Sequence, residues 1–348
     1  MSNIDVKNYR EIYQNLAKQV FSIDSPTGFT AGAISKVEAI VCDIGYPYHR
    51  YNKGTLVVTV DGEDNDTTVA LSSHVDTLGL MVRSISSDGK LMITSVGGPL
   101  LPSLDGEYCR IYTRDDREYT GTILSLSPSI HVFDDAKSRP RDERNLYIRI
   151  DEPVYSKEDV EKLGISAGDY ICYDPKTTFT SSGYLKSRFI DDKGCAALLL
   201  TLLRIMHDNK MKPAHRTNIC FTVFEEVGHG ASALPAGMKE LLVVDMGCVG
   251  EDLSCTEQQV SICAKDSSGP YDYEMTSRLI DLAKKNGLDF AVDIYPHYGS
   301  DAAAYQAAGN DTKAALIGPG VQASHGMERT HMDGLTNTLK LIMAYLNL

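Results

Sequence analysis

Residues 193–224 read KGCAALLLTLLRIMHDNKMKPAHRTNICFTVF. Apolar residues run through KGCAALLLTLLRIMHDN for too long to suit a strand, so this segment predicts a long, buried helix. After a polar connector holding Pro213, NICFTVF is a short apolar run of strand length, rich in β-branched and aromatic residues. A buried helix feeding a buried strand is the repeating unit of an α/β sheet covered on both faces.

The alternation continues towards the C-terminus. Helices are expected over ALPAGMKE (233–240, broken at its proline), YEMTSRLIDLAKKNG (273–287), DAAAYQAAG (301–309) and GLTNTLKLIMAYLN (334–347). Strands are expected at LLVVDMG (241–247) and KAALIGPG (313–320). Towards the N-terminus, helices fit 6–22 and 34–45, and GTLVVTVDGEDNDTTVALSSHVD (54–76) reads as two strands joined by a polar turn. A mostly parallel sheet follows.

From about residue 79 to 181 the texture changes to short alternating runs separated by turn formers: LMVRSISSDGKLMITSVGG, EYCRIYTRDDREYTGTILS, ERNLYIRIDE and GDYICYDP. This stretch predicts an all-β module, either a small barrel or a sandwich, with a short helix at SKEDVEKLG and a mobile loop at DDAKSRPRDERN. The expected organisation is one discontinuous α/β domain, residues 1–78 and 182–348, interrupted by a β-rich insert, residues 79–181.

Composition narrows the function classes. The 348 residues carry a net charge of −13, which argues against nucleic acid or an anionic membrane as partner, because both bind through basic patches. The N-terminal MSNIDVKNYREIYQ has neither a basic n-region nor an apolar h-region, and no apolar stretch approaches the roughly 20 residues of a membrane span, so a cytoplasmic protein is expected. Eight scattered cysteines, none in a close pair, suit reduced core thiols.

Several carboxylates and two histidines fall where strands end. His74 and Asp76 follow TTVALSS, Asp191 and Asp192 precede the long helix, Glu225 and Glu226 follow NICFTVF, Asp245 follows LLVV, and His325 lies after KAALIG. That rim of an open α/β sheet is where ligands bind. Singly each has a plain explanation: Asp191 suits a helix N-cap, and adjacent glutamates at a strand end are usually solvated. Together they form a metal-ligand set suited to zinc, cobalt or manganese. More than four strong ligands exceed one tetrahedral zinc, so two ions sharing a carboxylate, roughly 3.5–4 Å apart, are expected. Within a strand, Glu225 and Glu226 would point to opposite faces.

SHVDTLGLMV, RFIDDKGCAA, TVFEEVGHGAS, VVDMG and SHGMERTH, in that order and with a β insert after the first, resemble the dinuclear metallo-aminopeptidases of the glutamyl and deblocking family. The resemblance spans essentially the whole chain. It implies a zinc-exopeptidase-like three-layer α/β/α catalytic domain, and an inserted barrel or PDZ-like module through which dimers form and assemble into a twelve-subunit shell. It implies that His74 and Asp245 bind one metal, that Glu226 and His325 bind the second, that the Asp191 carboxylate bridges the two, and that the Asp191–Asp192 peptide bond is cis. Asp76 would orient the His74 imidazole. Glu225 would be the general base on the bridging water, acting on peptide substrates. Two positions depart from the family pattern: Thr77 stands where a glutamate is common, and His325-Gly326-Met327-Glu328 replaces His-Ser-x-x-Glu.

Related metallopeptidases share HxD, DD and EE, so a carboxypeptidase, dipeptidase or N-acyl amidohydrolase is the alternative; in those relatives the insert falls later in the chain. A glycosidase would need two carboxylates across a sugar cleft, and the chain has no tryptophan for a sugar platform. An inactive scaffold is disfavoured by the complete ligand set. His229, His331, His297 and His207 are not required as ligands; His297, in a loop expected to border the rim, is the best placed of them to meet substrate.

Overall fold

The computed structural model describes residues 6–348. The chain divides into two compact units, one comprising the chain up to Asp76 together with Lys176–Leu348, the other Thr77–Pro175. Residues 176–181 belong with the first unit, because Thr178–Phe179 pairs with Tyr184–Ser187, which in turn pairs with Glu328–His331.

The first unit is built on a ten-stranded sheet. Its centre is parallel: His215–Thr222, Asp64–His74, Glu240–Val244 and Lys313–Val321 lie side by side in that order. The sheet as a whole is mixed rather than mostly parallel. Leu56–Val60 runs antiparallel to His215–Thr222 on one side, and Val260–Asp266 runs antiparallel to Lys313–Val321 on the other. Val260–Asp266 and its parallel neighbour Phe290–Ile294 were not anticipated from sequence.

Side chains alternate across this sheet. On one face Ala70, Cys220, Leu241, Val243, Ala314 and Leu316 pack with Ala302 and Tyr305 of the short helix Asp301–Ala307. Against the sheet also pack Ala31–Ile44, Ile190–Asp208, Tyr273–Lys285 and Met332–Leu346, the helices predicted at 34–45, 193–209, 273–287 and 334–347. The helix expected at 233–240 does not form. A 3-10 turn at Gly230–Ala233 ends in extended Leu234, and Pro235 with Gly237 (φ 78°) carries the chain straight into the next strand. Among the described residues no helix is long and apolar enough to cross a membrane. The eight cysteines are all free.

The second unit is a closed barrel of six strands, in the order Gly79–Ile85, Leu91–Val96, Leu146–Ile150, Glu118–Ser125, Tyr108–Tyr112 and Tyr170–Tyr173. Closure removes the exposed edges that an open β module would present. The stretch 134–145 is not a free loop: Arg139 donates to the Ser127 hydroxyl at 2.7 Å, Arg141 to Asp105 at 2.9 Å, and Asn145 to Asp142 at 2.7 Å. The short helix Lys157–Lys162 is capped by Ser156, whose side chain accepts from the Asp159 N–H.

Candidate metal centre

Four segments carrying candidate ligands leave the C-terminal ends of the parallel strands, which brings residues distant in sequence to one rim. His74 closes Asp64–His74, Asp245 follows Glu240–Val244, and His325 lies beyond Lys313–Val321. Glu225 and Glu226 lie in a 3-10 turn, Glu225–Val227, entered through Phe224 at φ 71°. Their divergence therefore comes from helical rotation past the strand end rather than from strand alternation. Asp191 and Asp192 have non-helical dihedrals at the head of the long helix, and the peptide bond between them is cis.

Asp191 sits at the centre. Its Oδ1 lies 3.1 Å from His74 Nε2 and its Oδ2 lies 3.4 Å from His325 Nε2. His74 Nε2 is also 3.7 Å from Glu225 and 4.0 Å from Asp245, while His325 Nε2 is 3.8 Å from Glu226. Two groups of donors, His74 with Asp191 and Glu226, and His74 with Asp192 and Asp245, each lie within 4.8 Å of one another. Asp192 is thus a closer neighbour of the site than sequence suggested. It also accepts hydrogen bonds from the Ser73 hydroxyl and the His74 N–H, pinning the strand end.

Asp76 touches more than one partner. His74 Nδ1 lies 2.9 Å from the Asp76 carbonyl oxygen and 3.5 Å from its carboxylate. The same carboxylate accepts the Thr27 hydroxyl at 2.6 Å and the N–H groups of Glu225 and Glu226 at 3.2 and 3.4 Å. It therefore holds the histidine segment and the glutamate turn together. Asp301 supports the turn from the other side, accepting from the Thr222 hydroxyl and the Ala231 N–H. From sequence Asp301 is only the first residue of an expected helix; its partner Thr222 is 79 residues away and left no local signal.

The remaining histidines stay apart from this cluster. His229 stacks on Phe224, His331 caps the last helix by accepting from Asp333 N–H, and His207 pairs with Asp208 on the surface. His297 is an exposed turn residue. A cavity of about 310 Å³ lined by Lys239, Glu240, Arg278 and Tyr345 lies near the opposite, N-terminal ends of the parallel strands and contains none of these groups.

The electrostatics of the cluster suit a cation. Burial pushes the Glu225 carboxyl well up, with His74 opposing and Asp245, Asp301 and Glu226 adding to the rise. Burial and Asp191 do the same to Glu226, and lift Asp245 to about 7. For Asp191 burial works upward, but hydrogen bonds from His325 and His74 outweigh it and hold the carboxyl below the usual range. Burial disfavours charge on His74, yet hydrogen bonds to Asp191 and Asp76 raise its pKa well above the ordinary value. Crowded buried carboxylates repel one another unless positive charge intervenes. Moreover, Glu226 Oε1 is buried without a hydrogen-bond partner among the described residues, as expected of an oxygen that could hold a metal. Imidazole and carboxylate donors fit divalent zinc, cobalt or manganese.

A helix-covered sheet with histidines and carboxylates gathered at its strand ends has the make-up of a hydrolase site that could hold a divalent metal. Residues 54–341 match the M42 glutamyl aminopeptidase family, and the chain belongs to it. It is 43% identical to the putative aminopeptidase YhfE of Bacillus subtilis over 331 residues, 95% of this chain and 96% of that one. Among solved structures, an aminopeptidase of Desulfurococcus kamchatkensis superposes with a TM-score of 0.86 at 22% identity, covering 97% of this chain and 95% of that one. A Pyrococcus horikoshii peptidase, described as able to assemble into a tetrahedron or a large octahedral shell, superposes with a TM-score of 0.82 at 23% identity, covering 96% and 99%. The chain is accordingly a peptidase, a hydrolase of peptide bonds.

Proposed function

We propose that this protein removes N-terminal residues from peptides at a two-metal site, with Glu225 as general base. The observation that carries the reading is Asp191, a single carboxylate with one oxygen towards His74 and the other towards His325. His74 and Asp245 would hold one divalent ion, Glu226 and His325 the other, and Asp191 would serve both. Bound ions would supply Lewis acidity towards the scissile carbonyl and lower the pKa of the attacking water.

The chain's own residues account for the proton traffic. Glu225 Oε2 lies at the edge of the cluster, 3.7 Å from His74, close enough to the shared centre to take a proton from water. The same carboxyl then delivers that proton to the departing amine. Asp76 keeps the base in place by accepting the N–H of Glu225. The surplus of buried carboxylates favours a cationic substrate α-amino group over a second carboxylate, which favours an aminopeptidase over a carboxypeptidase.

Assembly belongs to the same reading. The structural relative described as tetrahedral or octahedral supports a homo-oligomer; the assembly proposed is twelve subunits built from dimers through the barrel. The barrel unit exposes Tyr108, Ile130, Val132 and Tyr155, apolar surface that a partner would cover. A monomer by light scattering contradicts this part. For the activity, a panel of aminoacyl reporters with zinc, cobalt or manganese, each paired with its N-acetylated form, is the test. Cleavage of the free-amine series alone is expected; cleavage of the acetylated series instead identifies an amidohydrolase.

A further inference from the structure

Glu328, three residues after His325, has a definite place in the fold. Glu328 begins the strand Glu328–His331 and is 2% exposed. Its side chain reaches two backbones at once: Oε2 accepts the Asp191 N–H at 3.1 Å, and Oε1 accepts the His325 N–H at 2.9 Å. These residues belong to segments that meet only through tertiary structure.

Both segments need holding. His325 has φ 64° and Ala323 φ 59°, left-handed conformations that residues with a Cβ rarely adopt. The loop's neck is closed by Gln322 and Arg329, which exchange backbone hydrogen bonds of 2.9 and 3.1 Å. Within the loop, Gly326 donates to the Ala323 carbonyl at 3.0 Å. On the other side, Asp191 and Asp192 are not in regular helix, and Phe189 before them has φ 66°. Glu328 ties the His325 N–H to the Asp191 N–H.

We propose that Glu328 is a positioning residue that fixes the distance between the shared carboxylate and the last histidine, and so sets the affinity and geometry of the second metal site. The inference rests on the two-metal reading above. A glutamate carboxyl group offers two acceptor oxygens of the right reach. Glutamine offers one acceptor and an NH2 that faces a donor, and aspartate is a methylene too short to span both N–H groups. Through the Asp191 N–H, the same carboxylate also orients the residue that would touch both ions. Groups that hold metal ligands from behind characteristically affect metal affinity by about 10- to 100-fold.

The test uses full-length protein, stripped with chelator and titrated with zinc, followed by the visible absorption of the cobalt-loaded form. Glu328→Gln and Glu328→Asp are made beside the native protein, with circular dichroism and melting to certify folding. The inference expects both variants to bind the second ion about 10- to 100-fold more weakly, with the first ion, which shares Asp191 but not His325, affected less. The cobalt spectrum should change in band position or intensity, and kcat should fall at saturating metal with KM little altered. A native second-site affinity together with a native cobalt spectrum in a folded Glu328→Gln variant overturns the inference, even if its melting temperature drops. If the native protein itself binds fewer than two ions, the two-metal reading fails and this inference fails with it.

Discussion

Glu225 and Glu226 share a turn but have different surroundings. The Glu226 side chain is 4% exposed, lies beside His325, and keeps one oxygen without a partner among the described residues. The Glu225 side chain is 13% exposed and turns towards His74. Glu225→Gln should therefore retain both metals while turnover falls by about 100- to 10,000-fold, since the amide keeps the shape but accepts no proton. Glu226→Gln should lose occupancy of the second site, with excess metal restoring part of its activity. Metal content by mass spectrometry, read beside turnover, separates the two; the reverse pattern exchanges the roles. The gathering of these residues at one rim could be read in sequence because each follows a strand or precedes a helix with a recognisable pattern. Glu328 and Asp192 could not be assigned roles, because their hydrogen bonds reach Asp191 and His74 across 137 and 118 residues.

At the scale of elements, the site depends on how closely Lys313–Val321 approaches the Asp245 segment. A Cβ built on Gly318 would stand 1.4 Å from the Asp245 carbonyl oxygen, an impossible approach to backbone. Gly318→Ala must push the strand away from Asp245. Overpacking of this kind costs about 1–3 kcal/mol and more when backbone is the obstacle. The variant should melt at a lower temperature and bind the first metal more weakly; native melting and native metal binding together would show that the strand has room to yield. The central strands and long helices were legible from their apolar periodicity. The antiparallel edges were not, since a strand's own residues do not record the direction of its neighbour. Nor was the turn at 233–240, where helical spacing was outweighed by Pro235 and Gly237.

At the scale of the whole molecule, metal binding and stability are coupled. In the chelated protein the Asp245 carboxyl is raised to about 7, by burial first and Asp191 second, and the Glu328 carboxyl to about 8 from the same two causes. A carboxyl with a raised pKa in the folded state contributes stability below its unfolded pKa and loses it as pH rises through the folded value. The chelated protein should therefore melt at falling temperatures between about pH 5 and pH 8, and added zinc should reverse the fall by binding the ionised carboxylates. A melting temperature that rises over that interval without metal would contradict the crowding of the cluster. The most direct test of the two-metal aminopeptidase is a titration of divalent metal into chelated protein, measuring ions bound per subunit alongside cleavage of an aminoacyl reporter. The account predicts negligible turnover without metal, activity that reaches its plateau at two ions per subunit, and no cleavage of the N-acetylated reporter. Full activity at one ion, or in the chelated protein, would contradict it.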